Sequence, residues 1–228
     1  MSLKIVRIHN ELLGTYGDQG NAEVLAYRAG LAGIGTQVID ISYRDVIPHD
    51  GDIYLLGGAE DAAQILSCAA LSSGALHGAV EEGAVVLAIC AGFQILGKSY
   101  FASGAEQRGL GLLNMTTVPG DKRFVGDIKI HSDLLGIDLT GFENHGGKTI
   151  LGSGLDSFGS VIVGNGNGDS GVDGAVLGNI FGTYLHGPVL ARNPEFADLL
   201  LSRAHGAPVK VDDALADQYA QLRRKVVK

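Results

Sequence analysis

The sequence has no tryptophan, two cysteines, two methionines and five prolines, and its aromatic residues make up only 6% of the chain. The cysteines, Cys68 and Cys90, stand far apart with no CxxC pattern. That excludes a disulfide framework and a cysteine-rich zinc site as the basis of the fold. With few prolines there is no Pro-rich linker, and no segment repeats, so residues 1–228 read as a single domain. Positive charge is the scarcer sign, with 17 Lys and Arg against 25 Asp and Glu and a formal net charge of −8. That balance argues against a nucleic acid or an anionic membrane as partner. No apolar run approaches the roughly 20 residues of a membrane span. The N-terminus reads as a strand, not as a signal peptide, which makes the cytoplasm the default expectation.

What is present is a large apolar fraction, 46%, with 35 glycines. Together they imply a substantial core broken by many tight turns. The first half alternates strand and helix. Lys4–His9 reads as a strand, Asn10–Asn21 as a polar, Gly-rich loop, and Ala22–Ala32 as a helix with Val24, Leu25, Tyr27 and Leu31 inward. Strands over Gln37–Ser42 and Asp52–Leu56 follow, then helices over Ala62–Ala70 and Gly74–Glu82. This order implies an α/β fold with a mostly parallel central sheet. After Gly97 the pattern changes to short strand candidates at Leu110–Val118, Val125–His131, around Phe142–His145, Ser160–Val163, Ala175–Leu177 and Ile180–Tyr184. These read as antiparallel strand additions, closed by helices over Pro194–Arg203 and Asp213–Arg224.

The stretch Val85-Val86-Leu87-Ala88-Ile89-Cys90-Ala91-Gly92-Phe93-Gln94-Ile95-Leu96-Gly97 organises the chain. A β-branched apolar run meets a cysteine, two small residues and then helix-compatible residues. This is the layout of a nucleophile elbow. The first amides of the following helix favour negative charge, and hence a thiolate over a thiol. The plain alternative is a small buried apolar side chain. Gly57-Gly58 ends the preceding strand, and its amides are candidates for half of an oxyanion hole, with the Ala91 amide as the other half. A partner for Cys90 stands in Phe181-Gly182-Thr183-Tyr184-Leu185-His186, which places His186 at a strand end. A Cys–His pair supplies the nucleophile and the proton that amide cleavage needs. His145, in a Gly-rich turn, is a weaker candidate for substrate or partner contact.

Two motif look-alikes fail on context. Gly166–Gly171 matches GxGxxG, but no helix follows, so it reads as a mobile hairpin loop. Gly147-Lys148-Thr149 resembles the end of a phosphate-binding loop, but its upstream glycine is misplaced. No ATP site is visible in this chain.

Ala88-Ile89-Cys90-Ala91-Gly92-Phe93-Gln94 resembles the nucleophile segment of class I (triad-type) glutamine amidotransferases. Gly182–Gly187 and Glu143–Thr149 narrow the resemblance to the cobyric-acid-synthase-like branch. Thr15–Asn21 narrows it to the GatD type of glutaminase subunit of lipid II isoglutaminyl synthases. The resemblance implies a flavodoxin-like class I glutaminase fold. It implies Cys90 as nucleophile, His186 as base and then acid, and the amides of Gly58 and Ala91 as the oxyanion hole. It also implies Gln94 and Arg123 as ligands of free L-glutamine, and an Arg fork suits a carboxylate. No metal and no cofactor are expected in this chain. ATP and Mg are expected on a Mur-ligase-like (MurT-type) partner subunit, which would use the ammonia to amidate the D-glutamate of lipid II in cell-wall synthesis.

Two departures matter. Ala88 replaces a common glycine, and a methyl there should fit. Pro188 stands where many triad enzymes carry Glu, two residues after the histidine. The expectation is therefore that an acid from the partner subunit completes the triad. Corrinoid amidation, another cysteine hydrolase and an inactive glutaminase-like binding subunit are the alternatives that residues alone leave open.

Overall fold

A computed structural model describes residues 2–228. The chain begins with β1 (Ser2–Ile8), α1 (Asn10–Leu13), α2 (Gly20–Leu31), β2 (Gly35–Ile41), β3 (Ile53–Leu56), α3 (Asp61–Leu71), α4 (Ala75–Glu81), β4 (Val85–Ile89) and α5 (Ala91–Ile95). Next come β5 (Ser99–Ala102), β6 (Ala105–Arg108), β7 (Met115–Ser132), β8 (Ile137–Leu151), β9 (Gly159–Val163), β10 (Val172–Asp173), β11 (Ala175–Leu177) and β12 (Ile180–Thr183). The chain closes with α6 (Val189–Arg192), α7 (Pro194–His205) and α8 (Ala214–Val226).

The strands form two sheets. The first has the order β11-β12-β4-β3-β1-β2 and is parallel except for β11. Every residue of β3, β4 and β12 is buried, as expected for central parallel strands covered on both faces. The second sheet runs β10-β9-β7-β5-β6, with β8 also paired to β7, and is antiparallel apart from the β5–β7 contact. The antiparallel strands of the second half are thus present. Only β11 extends the central sheet, and the others gather into a sheet of their own.

Several local expectations change. Leu110–Val118 is not one strand: residues 109–114 are irregular and β7 starts at Met115. The hairpin β5–β6, turning through Ser103-Gly104, escaped the sequence pattern because its outer strand is polar and largely exposed. In α2, Leu25 is buried, but Tyr27 and Leu31 face outward. The helix is rotated so that Arg28 faces inward and makes two bonds to Asp198 on α7, at 2.7 and 2.8 Å. A bidentate, nearly dry ion pair outweighs the exposure of two apolar side chains. Gly166–Gly171, read as a mobile loop, begins as a bound turn. Glu143 accepts from the Asn165 and Gly166 amides, and the Asn167 side chain bonds both backbone groups of Gly174. Asp213 caps α8 through the Ala216 amide at 3.1 Å. Leu215, Tyr219, Leu222 and Val226 line the outer face of that helix and are exposed. Among the described residues no single helix is long and apolar enough to cross a membrane.

The central strands end level. Leu56 pairs with Ala88, and Ala88 with Gly182. Ala88 is fully buried. Gly182 is the tight point: a Cβ there would lie 2.0 Å from Cδ2 of Phe93. The bare backbone of β12 lets the Phe93 ring drop onto the sheet, which seats α5 and the cysteine before it. Gly182→Ala should therefore lower stability by about 1–3 kcal/mol through overpacking. The readout is a lower urea midpoint with an unchanged slope.

Candidate active site

Four adjacent parallel strands, β12, β4, β3 and β1, deliver their carboxyl ends to one edge. Open α/β sheets place ligand sites there. Cys90 follows β4, His186 follows β12, Gly57-Gly58 follows β3, and the loop carrying Asp18 follows β1.

Cys90 has φ 51° and ψ −108°, outside the helical and extended regions. Such a conformation costs about 1–3 kcal/mol and persists only where its surroundings hold it. Here the Cys90 amide donates to Thr183 O at 2.9 Å and its carbonyl accepts from the Gln94 amide at 2.9 Å. The next amide but one, Gly92, donates to Gly57 O at 3.1 Å. The turn lifts the sulfur out of the strand line to the N-terminus of α5. The Ala91 amide, in the first turn of that helix, has no intrahelical acceptor.

His186 is nine-tenths enclosed or more, with 3% of its surface exposed. Its Nδ1 lies 2.8 Å from Asp18 Oδ2. A carboxylate only accepts, so Nδ1 carries the hydrogen and Nε2 is the reactive nitrogen. Among the described residues Nε2 has no hydrogen-bond partner. Burial is the largest influence on the ring and opposes its charge. The hydrogen bond to Asp18, the charge of Asp18 and the proximity of Cys90 outweigh it and push the pKa up to about 10. A raised pKa favours the protonated ring, whose second hydrogen sits on Nε2.

This geometry corrects two expectations. The acid that orients His186 is in the chain itself: Asp18 takes the place assigned to a partner residue. It lies in the loop after β1, so the absence of an acid at Pro188 creates no gap. The sequence signal was the Gly17-Asp18-Gln19-Gly20 turn at the carboxyl edge of the sheet. The second correction concerns Gly58. Its amide donates to Asp18 Oδ2 at 3.0 Å and is not free to face an oxyanion. Of the two expected amides, only that of Ala91 stands at the cleft unengaged.

The cleft around Cys90 has a volume of about 190 Å³. Gln94 and Arg123 both line it. The Gln94 carboxamide is held at both ends, accepting from Gln64 Nε2 at 2.8 Å and donating to the Tyr184 hydroxyl at 3.0 Å. One N–H remains for a ligand. Arg123 arrives from an irregular stretch of β7. The register with β8 breaks between Pro119 and Phe124, so residues 120–123 bulge toward the cleft. Arg123 Nε donates to Asn144 Oδ1 at 2.7 Å. His145 also lines the cleft, but its ring is stacked on Tyr184 at 3.7 Å and its Nδ1 is 2.9 Å from Gly147 O.

Two supporting groups had no sequence signal. Phe142 and His186 exchange backbone hydrogen bonds of 2.9 and 3.0 Å, so β8 braces the histidine. Asp173, fully buried, accepts from the Thr183 hydroxyl and the Tyr184 amide, which holds the approach to His186. Burial is the largest influence on that carboxyl and raises its pKa to about 7.

Comparison with known proteins is consistent across the chain. The family model of the CobB/CobQ-like glutamine amidotransferase domain matches residues 4–194. The chain is 38% identical over 233 residues to the lipid II isoglutaminyl synthase (glutamine-hydrolyzing) subunit GatD of Staphylococcus aureus, covering 99% of this chain and 94% of that protein. It is 35% identical over 240 residues to the subunit of the same name from Streptococcus pneumoniae, covering 98% and 92%. The fold matches that of PurLQS from Thermotoga maritima, with a TM-score of 0.57 and 14% identity over 97% of this chain and 99% of that one.

The Asp18 contact makes a direct prediction. Asp18→Asn removes the carboxylate that raises His186, so the imidazole pKa should fall from about 10 toward its ordinary value of 6.5. Because the folded value lies above the unfolded one, the stabilisation is full below pH 6.5 and is lost as pH rises toward 10. The wild type should lose stability across that window, and the variant should show a flatter profile. Imidazole NMR titration and urea midpoints against pH read the two effects. An unchanged His186 titration in the variant would contradict the assignment.

Proposed function

The chain belongs to the CobB/CobQ-like glutamine amidotransferase family, and from that premise we propose that it is the glutaminase subunit of a lipid II isoglutaminyl synthase. It hydrolyses L-glutamine and passes ammonia to a separate ATP-dependent subunit. That subunit, Mur-ligase-like and of the MurT type, holds ATP and Mg and amidates the α-carboxyl of D-glutamate in lipid II to D-isoglutamine. The compartment proposed for this work is the cytoplasm. The observation that carries this reading is the alignment of Cys90, His186 and Asp18 at one sheet edge. It occurs in a chain that matches subunits of that name almost end to end.

In this mechanism the Cys90 sulfur attacks the carboxamide carbon of glutamine, and a C–S bond forms as the carbonyl π pair moves to oxygen. The Ala91 amide at the head of α5 donates to that oxygen. His186 Nε2–H gives its proton to the amide nitrogen, the C–N bond breaks, and ammonia leaves. The ring, now neutral, takes a proton from water as the water attacks the thioester. Glutamate departs and the sulfur and imidazolium are restored. Asp18 holds the ring in the one tautomer that serves both steps. Arg123 clamps the α-carboxylate of glutamine, and the remaining N–H of Gln94 contacts the substrate.

Ammonia release from glutamine tests the reading, measured with and without the Mur-ligase-like subunit. Cys90→Ala should reduce release by at least about 10³-fold in both settings. The isolated wild type should also be alkylated at Cys90 by an electrophilic glutamine analogue, since its acid is not borrowed from a partner. With lipid II and ATP present, the wild-type pair should form D-isoglutamine. No release and no alkylation by the wild type, alone or paired, would refute the proposal.

A further inference from the structure

Resting on the glutaminase reading, we propose that Glu60 is the residue that recognises the α-ammonium of the substrate, opposite Arg123, and so selects a free α-amino acid. Three observations converge on it. First, Glu60 occupies the N-cap position of α3, where a side-chain oxygen can accept from the helix amides. Its side chain makes no cap bond. It turns instead to the cleft, where Glu60 Oε1 accepts from the Tyr16 hydroxyl at 2.6 Å. Second, the same hydroxyl accepts from Arg123 Nη2 at 3.2 Å. A cation and an anion therefore face each other across one hydroxyl group. An α-amino acid carries its carboxylate and its ammonium on a single carbon, so both charges fit the two poles at once. Third, among the described residues the cleft offers no better anion. Asp61, the other carboxylate lining it, is held by the Ser103 amide at 2.6 Å. The carboxylate of Asp18 is buried behind His186.

The polarity of the cleft follows. Glu60 and Arg123 are exposed at its mouth with Tyr16 half-buried between them, and Cys90 and Gln94 are buried at its floor. A glutamine with its charged end at the mouth points its carboxamide at the sulfur. Tyr16 is the placeholder between the poles. Burial and the bond to Glu60 push its pKa up to about 12, so the hydroxyl stays neutral and can be displaced by the two charges of the substrate.

The test compares L-glutamine with glutaramate, which has the same carboxamide and carboxylate but no α-ammonium. Ammonia release is measured for the full chain, alone and with its Mur-ligase-like partner, in the wild type, Glu60→Gln and Glu60→Asp. The expected result for Glu60→Gln is a KM for glutamine raised about tenfold, the scale of one charge-assisted hydrogen bond at a half-open site, with kcat held within about twofold. Its kinetics on glutaramate should equal those of the wild type, so the preference for glutamine falls about tenfold. Glu60→Asp, which keeps the charge, should restore part of the preference. Equal losses on both substrates would show that Glu60 only supports Tyr16 or α3, and would overturn the proposal. So would a variant that keeps the wild-type preference. A wild type that releases ammonia from neither substrate would instead bring down the glutaminase reading itself.

Discussion

The hydrogen bond between Asp18 and His186 joins residues 168 positions apart, and the site depends on it. For it to form, β1 and β12 must end at the same level although β3 and β4 lie between them. Uniform parallel register provides that level. The fully buried strands β3 and β4 are close-packed on both faces, which resists any shift of that register. The same carboxylate oxygen also takes the Gly58 amide, so Asp18 ties three strand ends together. Where one acid serves as both orienter and structural tie, removing it affects geometry as well as charge.

Two buried carboxyls near the site show how donor count decides charge in a dry environment. Burial is the largest influence on both and raises both. Asp173 keeps its raised value, about 7, against bonds from Thr183, Tyr184 and Gly174. Glu143 ends below the ordinary carboxylate value because His145, the Asn165 side chain and the Asn165 and Gly166 amides all favour its charged form. One acid is thus poised near neutrality behind the histidine. The other is a fixed anion that pins a glycine turn on the second sheet.

The two sheets divide the labour. The parallel sheet supplies the reacting groups from four loops at one edge. The antiparallel sheet supplies Arg123, Asn144 and His145 on the other wall of the cleft. It also braces the His186 backbone through Phe142. The connection is short and direct, so the wall that binds the substrate is also the wall that holds the catalytic ring. The register break in β7 between Pro119 and Phe124 is the feature that turns a sheet edge into a binding wall.

Local chemistry was legible in the chain. An apolar strand, a cysteine, small residues and a helix over 85–97 announce an elbow without tertiary information. His186 at a strand end followed the same logic, and so did the alternation that makes the first sheet parallel. Three things were decided only by packing. Asp18 reaches His186 past two intervening strands, and nothing near His186 in sequence points to it; looking two residues ahead found Pro188 and suggested an acid from elsewhere. The Gly58 amide was expected at the oxyanion because glycine pairs permit close approach, but the direction of an N–H is set by what lies beside it, and Asp18 lies there. The facing of α2 was read from apolar spacing, yet a buried Arg28–Asp198 pair turned the helix. Periodicity and motif spacing encode contacts within about one element. Contacts between distant loops depend on strand order and register, which no single segment contains.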